Sequence, residues 1–151
     1  MKIVKKFLVG LLIALVLIQF YRPEKNNAEY RDVKAFETET KANKEIVAIL
    51  KTNCYNCHSN KTEYPWYAEV APISFWLNDH IKNGNKHFNV SKWNAYSDKK
   101  KDHKLDELIE EVEEGKMPLE SYAILHGSIT KEERELLISW ARKARENYIF
   151  E

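Results

Sequence analysis

Cysteine occurs only twice in the 151-residue chain, as Cys54 and Cys57, and His58 follows the second directly. Residues three apart on a helical turn lie on the same side of it. Two thiols so placed can add to the two vinyl groups along one edge of a porphyrin, while the next residue offers its imidazole to the iron. The stretch Cys54-Tyr55-Asn56-Cys57-His58 has the C-x-x-C-H spacing of c-type haem attachment. Other uses of a cysteine pair fit less well. A thioredoxin-like redox pair would sit near a βαβ unit, and no such pattern occurs here. A structural zinc site needs four ligands, commonly two such pairs. A disulfide across so short a loop would stabilise little. The expected cofactor is one covalent haem c, with Cys54 and Cys57 as thioether links and His58 as the proximal ligand.

The other face of the iron needs a partner. Met117 is the only methionine besides Met1, and it lies in "EEGKMPL" just past a glycine. Pro118 biases it towards an extended backbone, from which a thioether can be presented at a fixed distance. Met/His ligation raises the reduction potential and suits electron transfer. Met117 is therefore the expected distal ligand. His80, on the apolar stripe of a helix, is the alternative. Aromatic residues crowd the sequence after the motif, and Tyr64, Trp66, Trp76 and Tyr122 are candidates for the walls of a haem pocket. A Tyr or Trp polar tip could also bond a propionate.

These groups must be carried by helices, because no period-two apolar run suggests a confident strand. Val47, Leu50, Cys54 and Cys57 share one helical face, which puts the cysteines at the C-terminal end of a first helix. A second begins near Pro72 and carries Ile73, Trp76, Leu77, His80 and Ile81 on its apolar face, with Gly84 as its stop. Leu105, Leu108, Ile109 and Val112 mark a third, stopped at Gly115. Thr130 and Glu133 form a capping box for a fourth, whose buried face is Leu136, Leu137, Trp140, Ala141 and Ala144. The expected domain, residues 43–151, is all-α: a small cytochrome-c-like helical fold around one covalent haem. So few helices have a limited core of their own, which an apolar cofactor would complete.

Two further segments precede it. Residues 1–21 carry Lys2, Lys5 and Lys6 ahead of an apolar run from Phe7 to Phe20 that only Gln19 interrupts. No small-residue cleavage site follows, so the segment reads as an uncleaved transmembrane helix rather than a removed signal. Counted from Ile3 to Tyr21 it would be about 28 Å long. The lysines would keep the N-terminus in the cytoplasm and place the haem domain on the periplasmic or other extracytoplasmic side of the cytoplasmic membrane. No cysteine follows the run to take a lipid. Residues 22–42 are polar and read as a tether, reaching about 25 Å if flexible; part of it, around Tyr30 to Phe36, could pack on the domain. The chain has 24 basic and 23 acidic residues, and without the three N-terminal lysines the remainder is slightly acidic. That balance argues against nucleic acid as a partner.

The order of an apolar helix into C-x-x-C-H, a Met-Pro loop and a closing helix resembles small class I cytochromes c. The stretches "CYNCHSNKTEYPWYAEVAPISFWLNDHI", "KMPLESYAILH" and "FYRPEKN" resemble a narrower group, the membrane-anchored bacterial haem-binding domain proteins. The resemblance covers nearly the whole chain. It implies covalent haem c with His58 proximal and Met117 distal. The function expected is a one-electron carrier that meets redox partner proteins, since no nucleophile or general base accompanies the motif. The alternative is a haem sensor or peroxidase-like enzyme with an open or displaceable sixth position, where His80 or His126 would act as distal acid/base.

Overall fold

A computed structural model of the protein describes residues 2–148, and these are all-helical. The helices are α1 (Lys2–Ile18), α2 (Lys34–Glu39), α3 (Lys44–Asn53), α4 (Tyr55–His58), α5 (Ile73–His87), α6 (Asp98–Glu113), α7 (Glu120–His126) and α8 (Lys131–Arg145), with 3-10 turns at Trp66–Glu69 and Val90–Ala95. Extended pairing among the described residues is limited to an isolated bridge between Asn27 and Lys61.

The closing helices follow the sequence pattern closely. Thr130 accepts from the Glu133 amide while the Glu133 carboxylate accepts from the Thr130 amide, the reciprocal capping box. Leu137, Ala141 and Ala144 of α8 are buried, as are Leu105, Ile109 and Val112 of α6, and these two helices form the most extensive helix pair. Arg145 binds both Asp102 and Asp106 across their outer edge. Gly115, at φ +71°, ends the α6 segment in the left-handed region that glycine adopts without strain.

Around this pair lies an aromatic core. Phe36 and Trp93 are fully buried and meet edge to face at 4.8 Å. Phe36 also packs edge-on against Phe88 and Trp140. Phe36 belongs to α2, inside the stretch read from the sequence as a tether. The residues around it are bound to the domain: Asn26 donates to the Ser59 carbonyl and the Thr62 hydroxyl, and Arg31 donates to Asn56 at 2.8 Å. The segment is anchored by hydrogen bonds and one large aromatic, without an amphipathic period.

The expected transmembrane helix is corrected. No helix among the described residues is long and apolar enough to cross a membrane. Helix α1 has 17 residues, about 25 Å at 1.5 Å each, against a hydrocarbon core of about 30 Å. Its first turns hold Lys5 and Lys6, so the apolar part from Phe7 to Ile18 is only about 18 Å long. The helix does not continue to Tyr21, because Gln19 turns its amide onto the domain, accepting from the Ala71 amide at 2.9 Å and donating to the Ala71 carbonyl at 3.0 Å. The expected placement at the cytoplasmic membrane, with the domain on its periplasmic side, rested on that span and falls with it.

Tyr55 ties the C-x-x-C-H stretch to this core. Its ring is buried and its hydroxyl donates to Glu37 at 2.9 Å. Burial, and then the Glu37 carboxylate, push its pKa well above the ordinary value of 10.0. A phenol held protonated in this way stabilises the fold fully below pH 10 and loses that contribution as pH rises through its raised pKa. Tyr55→Phe should therefore cost about 1 kcal/mol at neutral pH and make the loss of stability above pH 10 shallower, both measured by denaturant unfolding across the alkaline range.

Candidate functional site

The two cysteines do not ride on one continuous helix. Helix α3, begun by an Asn43 cap that accepts from the Ile46 amide at 2.9 Å, buries Ile46, Ile49 and Leu50 and stops at Asn53. Cys54 leaves helical geometry at φ −124° and ψ −47°. Its carbonyl then accepts from both the Cys57 and the His58 amides, at 3.1 and 3.0 Å. The single turn of α4 is thus wound onto one oxygen. The two intervening residues point back into the protein. Tyr55 enters the core, and the Asn56 side chain accepts from Arg31 and from the Glu63 amide. Ser59, fully buried, donates to the Tyr55 carbonyl at 2.6 Å and closes the turn.

Helix α5 packs on this turn. The sequence suggests Gly84 as a helix stop, yet it lies inside α5, which runs on to His87. The reason for glycine is contact: a Cβ there would lie 2.8 Å from the Cys57 carbonyl oxygen and 3.2 Å from the Cys57 Cβ. At the end of α5 the Phe88 carbonyl accepts from His58 Nδ1 at 2.9 Å. That bond fixes the tautomer and leaves Nε2 with its lone pair outward. Burial holds the His58 pKa below the usual histidine value, so the ring is a neutral imidazole. Burial raises the Cys54 thiol to about 12, with a further contribution from Cys57, and raises Cys57 to about 11. Both cysteines are free thiols.

Helix α5 has two faces. Ser74, Asn78 and Ile81 are buried. Trp76, His80 and Gly84, spaced by four, form the opposite stripe, and Gly84 brings that stripe to Cys57. This stripe is apolar but open: Trp76 is 44% and Ile73 43% exposed. His80 packs against Trp76 at a tilt of 46°, with ring centroids at 4.2 Å, and its Nδ1 lies 2.8 Å from the Trp76 carbonyl. Two further aromatics stand near the end of α3: Tyr122 of α7 donates to the Thr52 carbonyl, and Tyr67 of the 3-10 turn shares His126 with it. Burial raises both phenol pKa values, with a smaller contribution from Cys57. Trp66, 80% exposed, meets Tyr67 edge-on, and Ile124 and Leu125 of α7 are also largely exposed.

Of the pocket residues expected from the sequence, Tyr122 lies beside the thiols, Trp76 lies on the stripe that leads to them, and Trp66 adjoins Tyr67. Tyr64 is turned away. Its hydroxyl accepts from the Asn26 amide at 2.7 Å, and its ring lines a cavity of about 320 Å³ on the Ser74–Asn78 side of α5. Met117 is half-buried at the edge of the core, and its segment is drawn over the end of α3 by Tyr122, which donates to the Thr52 carbonyl at 2.7 Å. Tyr67 is one of the aromatics crowded after the motif in the sequence. Sequence reasoning missed the role of Gly84, although a glycine in an otherwise helical polar run marks close approach as readily as a stop.

The donor set fits a porphyrin. It offers two protonated thiols on one side of a tight turn, a neutral imidazole with one free nitrogen, and a half-exposed apolar stripe where a flat apolar ring would be covered. The comparison with known families agrees. A family model described as a haem-binding domain matches residues 13–143. The chain belongs to the haem-binding domain family. Searches among curated proteins and among solved structures found no match. The match takes in every residue of the site above, from Cys54 to His126. Within this haem-binding domain, Gly84→Ala should strain the α5–Cys57 contact by about 1–3 kcal/mol, outweighing a helix-propensity gain of about 1 kcal/mol. A backbone oxygen cannot move aside cheaply, so thermal denaturation should show a net loss of stability, larger for Gly84→Val.

Proposed function

We propose that the chain holds one haem c through thioethers at Cys54 and Cys57, with His58 as proximal and Met117 as distal ligand, and carries single electrons between redox partner proteins. The observation that supports this most is the imidazole of His58. Its Nδ1–H is committed to the Phe88 carbonyl, its ring is neutral, and it follows directly on two thiols wound around the Cys54 carbonyl. A haem iron supplies one-electron chemistry between its ferric and ferrous states. The chain's own part is to bind and to orient. The turn holds the two thiols on one side, as addition to two vinyl groups requires. The Phe88 carbonyl keeps the His58 ring from rotating and makes it a stronger donor through its outer hydrogen bond. The half-exposed stripe of Ile73 and Trp76 would cover an apolar ring and keep water from it.

A carrier needs a filled sixth position and no substrate pocket. Met117 supports this reading by type and by place. It is a soft thioether, half-buried, in a non-helical segment whose amide donates to the Glu111 carbonyl. His80 is the competing ligand. It stands on the same stripe of α5 as Gly84 and keeps Nε2 uncommitted.

Two experiments test the proposal. Protein unfolded in strong denaturant should retain its haem through acid extraction, and Cys57→Ala should hold it by one bond at most. Recovery of unmodified apoprotein from mature wild type would defeat the covalent reading. Met117→Ala should lower the reduction potential and allow the ferrous protein to bind carbon monoxide, which the wild type should ignore. Should His80→Ala produce those changes and Met117→Ala not, the distal ligand is His80.

A further inference from the structure

Helix α7 is held by two bonds that reach towards the thiols. Tyr122 donates to the Thr52 carbonyl, and the Tyr67 hydroxyl lies 2.6 Å from His126 Nε2. The His126 ring also stacks on Tyr122, with centroids 4.3 Å apart and planes 19° from parallel. His126 itself is exposed, so its other ring nitrogen meets solvent. None of these three rings is one of the thioether links or iron ligands proposed above. Together they join the end of α3, at Thr52 just before Cys54, to bulk water through one imidazole.

We propose that Tyr67 and His126 form a redox-linked proton site, which binds one proton from water when the haem gains an electron and releases it on oxidation. The proposal rests on the haem reading above. An added electron makes the group at the cysteines more negative by one charge, and a nearby base then holds a proton more strongly. Histidine is the side chain whose ordinary pKa, about 6.5, lets such a change alter its protonation near neutrality. The hydrogen bond provides the response. With neutral His126, the Tyr67 O–H donates to Nε2. With the imidazolium, Nε2–H donates to the Tyr67 oxygen, and the hydroxyl turns its own proton elsewhere. One electron comes from a one-electron donor and one proton from water, and Tyr67 stays a phenol throughout.

The titratable groups that face His126 are few. Tyr122 stacks on it from its own helix, and Tyr67 bonds it from the 3-10 turn. Glu69, the acid of the same 3-10 turn, is bound to Lys25. Glu120 lies at the other end of α7. Among the described residues no carboxylate or ammonium group bonds to His126.

The test uses the full-length, haem-loaded protein. Its midpoint potential should fall with rising pH along one leg that approaches 59 mV per tenfold change in proton concentration, the one-electron limit. Reduction in weakly buffered indicator should take up protons. His126→Gln keeps the size and loses the titrating nitrogen, so the leg should flatten and the uptake fall. Tyr67→Phe keeps the ring and loses the hydrogen bond to Nε2, so its leg should persist but move along the pH axis. Both variants should keep the wild-type absorption spectrum. A leg and an uptake unchanged in His126→Gln overturn the proton site and leave the haem reading standing. A changed spectrum in His126→Gln makes the imidazole a ligand and also overturns it. Mature protein that carries no haem overturns both.

Discussion

Gly84 lies against the Cys57 carbonyl, and the rest of the arrangement hangs from this contact. A side chain at Gly84 would fall inside van der Waals distance of that oxygen. Glycine lets α5 sit directly on the turn. Because the Cys57 and His58 amides share the Cys54 carbonyl, fixing Cys57 fixes both thiols and the imidazole together. The same helix then ends where the Phe88 carbonyl takes His58 Nδ1. One element thus sets the position of the second thiol and the tautomer of the ring beside it.

The two faces of α5 divide the labour of the fold. Its buried side, with Ser74, Asn78 and Ile81, receives the N-terminal segment and Tyr64. Its other side stays half-open although it carries Ile73 and Trp76. An exposed apolar stripe of this kind marks a surface that something covers. In a member of the haem-binding domain family, the proposed occupant is a planar ring that is not built from amino acids. Burial of Trp76 is then a property of the loaded protein rather than of the polypeptide.

Helices α6 and α8 were legible in the sequence because their signals are local, whereas the short α7 was not expected. Thr130 and Glu133 name their own capping box, and the apolar period of α6 and α8 matches the buried residues. The C-x-x-C-H spacing pointed to haem, as the family match does at the level of the cofactor. What was not legible depends on distant partners. Periodicity put Cys54 and Cys57 on one helix, but the backbone breaks at Cys54 because Tyr55 must enter the core between them. Composition made residues 22–42 a tether of which the part around Tyr30 to Phe36 could pack on the domain, but not which groups much later in the chain Phe36 and Arg31 would meet. Hydropathy extended α1 past Ile18, but the Gln19 amide meets Ala71, 52 positions on, and ends it.

The bond from Arg31 to Asn56 also bears on how far the motif is a local object. A short peptide from Asn53 to Asn60 would keep both sulfurs and the imidazole. It would lose the guanidinium that holds Asn56, the core that receives Tyr55, and the Phe88 carbonyl that selects one nitrogen of His58. Such a mimic would retain the composition of the site and none of its preorganisation. Its imidazole would be free to rotate and to exchange tautomers. The five residues Cys54 to His58 supply the reactive atoms, and their geometry belongs to the whole domain.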